Sequence, residues 1–168
     1  RNRLIRSERN RELDKISFPA YRQSTYPNIQ DFFKLRIIDE SRGCFNRCAF
    51  CAHNHLSGTS VRTRSAKDIV DELQRLQQEE GISFFRFSGS NTPWPLVVMV
   101  GREIIRRGLK INYSLFSSFN NAKWGDLSML SVSGLRSIFF GLETADPELL
   151  RLAHNKDNLG DANILQLC

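Results

Sequence analysis

Long apolar runs are missing from this chain of 168 residues, and the longest, such as Leu96–Val100, are far too short to cross a bilayer. Membrane insertion is therefore not expected. No positively charged, apolar leader is visible, so a reducing cytoplasm is the expected compartment and disulfides are not. Cysteine is scarce, with four in all, and the last of them, Cys168, ends the chain. The other three lie together with no fourth nearby. That argues against a closed site of four ligands, which is often built from two C-x2-C pairs. No RNA-binding motif accompanies the basic start, where Arg1, Arg3, Arg6, Arg9 and Arg11 alternate with Glu8, Glu12 and Asp14. A solvated linker or helix face is favoured there over a nucleic-acid surface.

What is present is enough for one globular domain. The chain is 40% hydrophobic and 25% charged, with a net charge of +6. Its most specific feature is Cys44-Phe45-Asn46-Arg47-Cys48-Ala49-Phe50-Cys51, a C-x3-C-x2-C spacing. Three thiolates on one short loop can hold three corners of a cubic iron–sulfur cluster, leaving the fourth iron open to an outside ligand. A zinc ion held by these cysteines and His53 or His55 is the alternative from a different class.

The chain alternates strand, loop and helix. Strands are predicted at Phe33–Asp39, Ile82–Phe87, Lys110–Phe116 and Ser137–Leu142. A helix capped by Ser65, with Asp68 completing a capping box, carries Ile69, Val70, Leu73 and Leu76 at helical spacing and stops at Gly81. A Pro93/Pro95 break precedes a helix from about Leu96 to Arg107. A short helix is predicted around Lys123–Leu130, and Asp146-Pro147-Glu148 opens another. Such alternation predicts an α/β fold with a parallel sheet, a partial (β/α) TIM-like barrel. Chemistry in barrels sits on the loops after the strands. Those loops hold the cysteines, then Ser88-Gly89-Ser90-Asn91, then Ser117, Ser118 and Asn120, then Gly141-Leu142-Glu143-Thr144. All four are predicted to converge on one mouth.

The run Ser41-Arg42-Gly43-Cys44-Phe45-Asn46-Arg47-Cys48-Ala49-Phe50-Cys51 resembles the cluster loop of the radical S-adenosylmethionine (radical SAM) enzymes, down to the aromatic Phe50 before the last cysteine. The resemblance implies that Cys44, Cys48 and Cys51 ligate a 4Fe–4S cluster whose open iron is chelated by SAM. It implies reductive cleavage of SAM to a 5′-deoxyadenosyl radical, fed by an electron donor such as a flavodoxin or ferredoxin. It implies SAM contacts at Gly89 and Ser90, although the family's Gly-Gly-Glu-like turn reads Ser88-Gly89-Ser90 here and lacks the acid. It also implies a contact at Glu143, with Phe50 packing near adenine. Plainer roles stand beside these: a polar turn, a structural ion pair for Glu143, a loop anchor for Phe50. The R-x-R-S run of Arg62, Arg64 and Ser65 is read first as a helix cap. No catalytic acid or base is assigned. A SAM-independent Fe–S reductase, or a Cys3His zinc module that binds RNA, remains as an alternative function.

Leu13–Tyr21 resembles the connector that joins a cobalamin-binding domain to the barrel in one radical SAM subgroup, which includes radical methyltransferases and ring-forming enzymes. Residues 1–31 are therefore expected to be a linker, and residues 32–168 the front of a barrel showing about four βα units of an expected six. Cobalamin, if used, is expected to come from a domain outside this chain.

Overall fold

The computed structural model describes residues 8–19, 35–141, 143, 144, 146–149, 151 and 152. Four parallel strands form one sheet: β1 (Leu35–Ile38), β4 (Phe84–Phe87), β5 (Asn112–Ser117) and β6 (Leu135–Phe140), in the order β1-β4-β5-β6. A second, antiparallel pair is built from two-residue strands, β2 (Ser41–Arg42) and β3 (Arg62–Thr63). Among the described residues, five α-helices follow along the chain: α1 (His53–Ser57), α2 (Ala66–Glu80), α3 (Trp94–Arg107), α4 (Leu127–Ser133) and α5 (Pro147–Leu149).

The Ser65 cap and the Gly81 stop form where the sequence places them, but the capping box does not close: the Ser65 N–H donates to Asp14 Oδ1, and the Asp68 carboxylate pairs with Arg64 instead. Ser65 Oγ accepts the Asp68 N–H at 3.2 Å, and Gly81 closes α2 in the left-handed region at φ 66°. The apolar stripe Ile69, Val70, Leu73 and Leu76 is fully buried. Burial of one such side chain contributes about 1.5–3 kcal/mol. Asp146 Oδ1 accepts the N–H groups of Glu148 and Leu149 at 2.8 and 3.0 Å, an N-cap for α5.

Several boundaries differ from expectation: β4 starts at Phe84 rather than Ile82, β5 runs Asn112–Ser117 rather than Lys110–Phe116, and β6 starts at Leu135 rather than Ser137. α3 starts at Trp94, with Pro95 inside its first turn, where a missing N–H costs nothing. The expected proline break is the start of the helix. The helix expected near Lys123–Leu130 is a 3-10 turn at Trp124–Asp126 followed by α4. The fourth strand ends at Phe140, two residues short, so Gly141 and Glu143 belong to the loop beyond it.

Ile38, Phe85, Phe87, Tyr113 and Leu115 pack with α2, α3 and α4 in a single core on one face of the sheet. Tyr113 also bonds Ser133 Oγ of α4 at 2.8 Å, and burial pushes its hydroxyl pKa up to about 12. The opposite face carries Ile37, Phe84, Arg86, Ser114, Ser137 and Phe139, half-buried or exposed. Residues 8–19 dock beside this body. Leu13 is buried, Asp14 Oδ1 accepts the Ser65 N–H at 2.7 Å, and the Arg64 guanidinium stacks on Phe18 at 5.0 Å. No described helix is long and apolar enough to cross a membrane.

Candidate cluster and ligand site

The cysteines occupy a loop whose two ends are tied together. β2 leaves the sheet and pairs with β3 on the return, Ser41 opposite Thr63 and Arg42 opposite Arg62. Gly43 turns at φ 91°, and a Cβ there would run into the Ser60 carbonyl. The Cys44 N–H donates to the Gly58 carbonyl at 3.1 Å, and the Asn54 side chain donates to the Asn46 carbonyl at 2.8 Å. α1 therefore staples the loop from behind.

The loop forms one wall of a cavity of about 220 Å³. Cys44, Cys48, Cys51, Phe50, His53 and Asn54 line it from the cysteine side. Ser90 and Asn91 enter from the loop after β4, and Ser117 and Ser118 from the end of β5. Phe139, Gly141 and Glu143 enter from the end of β6. The four strand ends thus meet at one mouth, as the alternation predicts. Glu143 is exposed, with a left-handed backbone at φ 54°, and its carboxylate folds back over Gly141 where a side chain would stand. Phe50 is 58% exposed at the rim.

Gly89 is not on the lining. It is buried behind Ser90, and its N–H donates to both carboxylate oxygens of Glu40, at 3.1 and 3.0 Å. Glu40 stands just past β1 and is wholly buried. It also accepts the Thr92 hydroxyl at 2.6 Å and the Ser41 hydroxyl at 3.1 Å. Burial raises its pKa from the ordinary carboxylate range, against the lowering effect of these hydrogen bonds. A Cβ on Gly89 would strike the Glu40 carboxylate and the Ser41 hydroxyl. The glycine is there to let a buried acid reach the backbone. Glu40 joins the root of the cysteine loop to the loop after β4, and no local sequence signal marks it, because Gly89 and Thr92 lie far along the chain.

A second bridge continues around the mouth. Asn91 is buried; its Oδ1 accepts the Ser118 N–H at 3.0 Å and the Asn121 amide at 3.3 Å. Asn121 rather than Asn120 makes this link, donating also to the Thr92 carbonyl at 2.7 Å and Ser117 Oγ at 3.0 Å. Arg62 and Arg64 serve the frame. Arg64 is buried between Asp68 at 2.6 Å and Glu72 at 2.5 Å, while Arg62 donates to the carbonyls of Asn10 and Ser57 at 2.8 and 3.0 Å.

Among the described residues, no three His, Cys, Asp or Glu side chains stand close enough to share one metal ion. A cubane spreads its thiolates over separate corners. The thiols of Cys44, Cys48 and Cys51 line one cavity, a donor set of the kind that holds an iron–sulfur cluster. His53 Nε2 and Asn54 Oδ1 are buried on the same wall with no hydrogen-bond partner.

Residues 40–163 match the sequence profile of the Radical SAM superfamily, and the chain belongs to it. It is 27% identical to the cytidylyl-2-hydroxyethylphosphonate methyltransferase of Streptomyces wedmorensis, over 83% of this chain and 28% of that protein. An uncharacterized methyltransferase of Pyrococcus horikoshii is 26% identical, over 89% of this chain and 34% of its own length. The chain thus spans roughly a third or less of these relatives. Among solved structures, the radical SAM methyltransferase TsrM of Kitasatospora setae, with cobalamin and a 4Fe–4S cluster bound, superposes with a TM-score of 0.69. It shares 22% identity, over 79% of this chain and 28% of its own. The cobalamin-dependent SAM radical enzyme OxsB, with cobalamin and SAM bound, gives a TM-score of 0.64 at 19% identity, over 78% of this chain and 21% of its own. Both likenesses establish the fold, a parallel sheet of the TIM-like barrel kind.

Proposed function

We propose that this chain is the N-terminal part of a radical SAM barrel that holds a 4Fe–4S cluster through Cys44, Cys48 and Cys51 and binds SAM in the adjoining cavity. The observation that carries the reading is the placement of three thiols and the ends of four strands around one cavity. When bound, the cluster and SAM together supply one-electron cleavage of the sulfonium, giving methionine and a 5′-deoxyadenosyl radical.

The chain's own residues bind and orient. The three thiolates hold the cluster. The Glu143 carboxylate, at the rim opposite the cysteines, can accept hydrogen bonds from the amino or ribose hydroxyl groups of SAM. Ser90 offers a hydroxyl on the adjacent wall. Phe50 offers an aromatic face to adenine. Glu40, buried behind the lining, and Asn91, on it, hold these loops at fixed spacing. The electron comes from an outside donor such as a flavodoxin or ferredoxin. The methyltransferase relatives favour radical methylation as the outcome, with cobalamin supplied by a domain outside this chain. Superfamily membership favours this reading over a SAM-independent reductase or an RNA-binding zinc module.

The test is anaerobic reconstitution. About four iron and four sulfide per chain are expected, with a reduced-cluster electron paramagnetic resonance spectrum that changes on adding SAM. A colourless zinc protein, or a spectrum indifferent to saturating SAM, would sink the reading.

A further inference from the structure

We propose that Arg86, with Ser114 and Ser137, forms an oxyanion-binding row on the inner face of the sheet, anchoring a phosphonate, phosphate or carboxylate group of the substrate below the cavity. The inference rests on the reading that the cavity above holds SAM, so that a substrate lies between SAM and the sheet.

Register places the three residues side by side. Arg86 of β4 is opposite Ser114 of β5, which is opposite Ser137 of β6. Paired residues of parallel strands project from the same face, at about 4.8 Å per strand. The Arg86 guanidinium then rises one row toward the mouth. It lies 4.7 Å from the ring centre of Phe116 and 4.6 Å from that of Phe139. Both phenylalanines line the cavity. The cation is thus held between the serine row and the cavity wall by two aromatic faces. Ring contact takes none of the guanidinium's hydrogen-bonding capacity for a carboxylate or phosphate when the two planes lie parallel.

The fork has no partner among the described residues. Arg36, Arg64 and Arg107 are each paired with carboxylates at 2.5 to 2.9 Å. Arg86 makes no such pair and no hydrogen bond with a described residue, and neither hydroxyl of Ser114 or Ser137 does. The inner positions of the strands, Leu35, Ile37, Phe84, Asn112, Ser114, Phe116, Ser137 and Phe139, include no acid. With no counter-ion among the described residues, a half-buried guanidinium carries a desolvation cost that aromatic contact offsets only in part. An oxyanion bound bidentately by the fork, with hydroxyl donors beside it, removes that cost. Arginine suits this role better than lysine, because its planar fork matches such anions.

The test uses phosphorus NMR, following methylphosphonate as it is titrated into anaerobic, cluster-loaded protein with SAM present. The wild type is expected to broaden and shift the signal saturably, whereas the neutral dimethyl ester of methylphosphonate should not. Arg86→Met should weaken binding by about tenfold or more, and Arg86→Lys by less, since it keeps the charge and loses the fork. Ser114→Ala with Ser137→Ala should weaken it by about threefold. Equal binding by wild type and Arg86→Met would overturn the proposal. So would an Arg86→Met variant that binds SAM more weakly but methylphosphonate normally, which would make SAM's own carboxylate the partner. An absence of anion binding to the wild type, with Arg86→Met merely less heat-stable, would also overturn it and assign Arg86 to structure. Cluster content and the SAM-dependent spectrum, recorded on the same samples, report separately on the SAM reading.

Discussion

On the helix-covered face of the sheet, Ile38, Phe85, Phe87, Tyr113 and Leu115 are each 2% exposed or less. On the inner face of the same strands, Ile37, Phe84 and Phe139 are 43% exposed or more. Alternation along a strand sends successive side chains to opposite sides, so each strand serves two tasks in alternate residues. One face is dry, closely packed and paired. The other carries a cation, hydroxyls and aromatic rings, and it opens toward the cysteine loop. Stability and chemistry are therefore separated by one residue of register rather than by distance, and substitutions should sort by face.

The largest expected effect is on the cluster. Cys44→Ala, Cys48→Ala or Cys51→Ala should each abolish iron and sulfide incorporation, while leaving the circular dichroism of the sheet and helices in place. Cys168→Ala should leave loading unchanged. A cluster retained in any of the three single variants would break the assignment of ligands.

Next come the two faces themselves. Phe87→Ala, in the dry layer, should cost about 3–5 kcal/mol in denaturant unfolding. Phe84→Ala, from the same strand and half exposed, should cost about 1 kcal/mol or less. Equal losses would mean that the inner face is as tightly packed as the outer one.

Gly89→Ala should cost about 1–3 kcal/mol, since the added methyl meets the Glu40 carboxylate and the Ser41 hydroxyl. It should also weaken SAM binding, because it pushes apart two loops that frame the cavity. A variant with wild-type stability would show that Glu40 yields easily.

Glu40→Gln sharpens the same point through pH. The folded pKa of Glu40 is raised by burial. Such a group contributes stability that is fully present below its unfolded value, and that is lost as pH rises through the folded value. The glutamine variant lacks this loss. Its stability relative to wild type should therefore improve as pH rises above the ordinary carboxylate range, followed by thermal melts. A difference that stays constant as pH rises would break the inference that burial raises the Glu40 pKa.

The smallest effect on folding belongs to Glu143→Gln. It should leave the melting temperature within error and weaken SAM binding severalfold. Loss of stability without loss of binding would make Glu143 a structural carboxylate.

Much of this arrangement is local in origin and so was legible in the sequence. Ser65, Asp68 and Gly81 fix both ends of α2 within one turn of each end. The cysteine spacing, and the polar loops after each strand, predict a common mouth. What was not legible is non-local. β2 and β3 pair over only two residues each, too short for any periodic signal. Glu40 reads as one more polar residue after a strand until the loop of Gly89 and Thr92 folds over it. The start of α3 was misplaced because two prolines mark a break and a helical first turn equally well. The expected strand start at Phe33 and strand end at Leu142, with residues 1–7, 20–32, 34, 145, 150 and 153–168, lie outside the described residues.

The ribbon of β2 and β3 has a consequence for how the protein survives damage. It closes the cysteine loop at its base, so the chain entropy of bringing the loop's ends together is already spent before any cofactor arrives. Opening of the tip can then proceed as a local event, with exchange of amide hydrogens in 44–58 while the parallel sheet stays protected. A cluster destroyed by oxygen would leave behind a hinged receptacle rather than an unfolded chain, ready to be refilled in place.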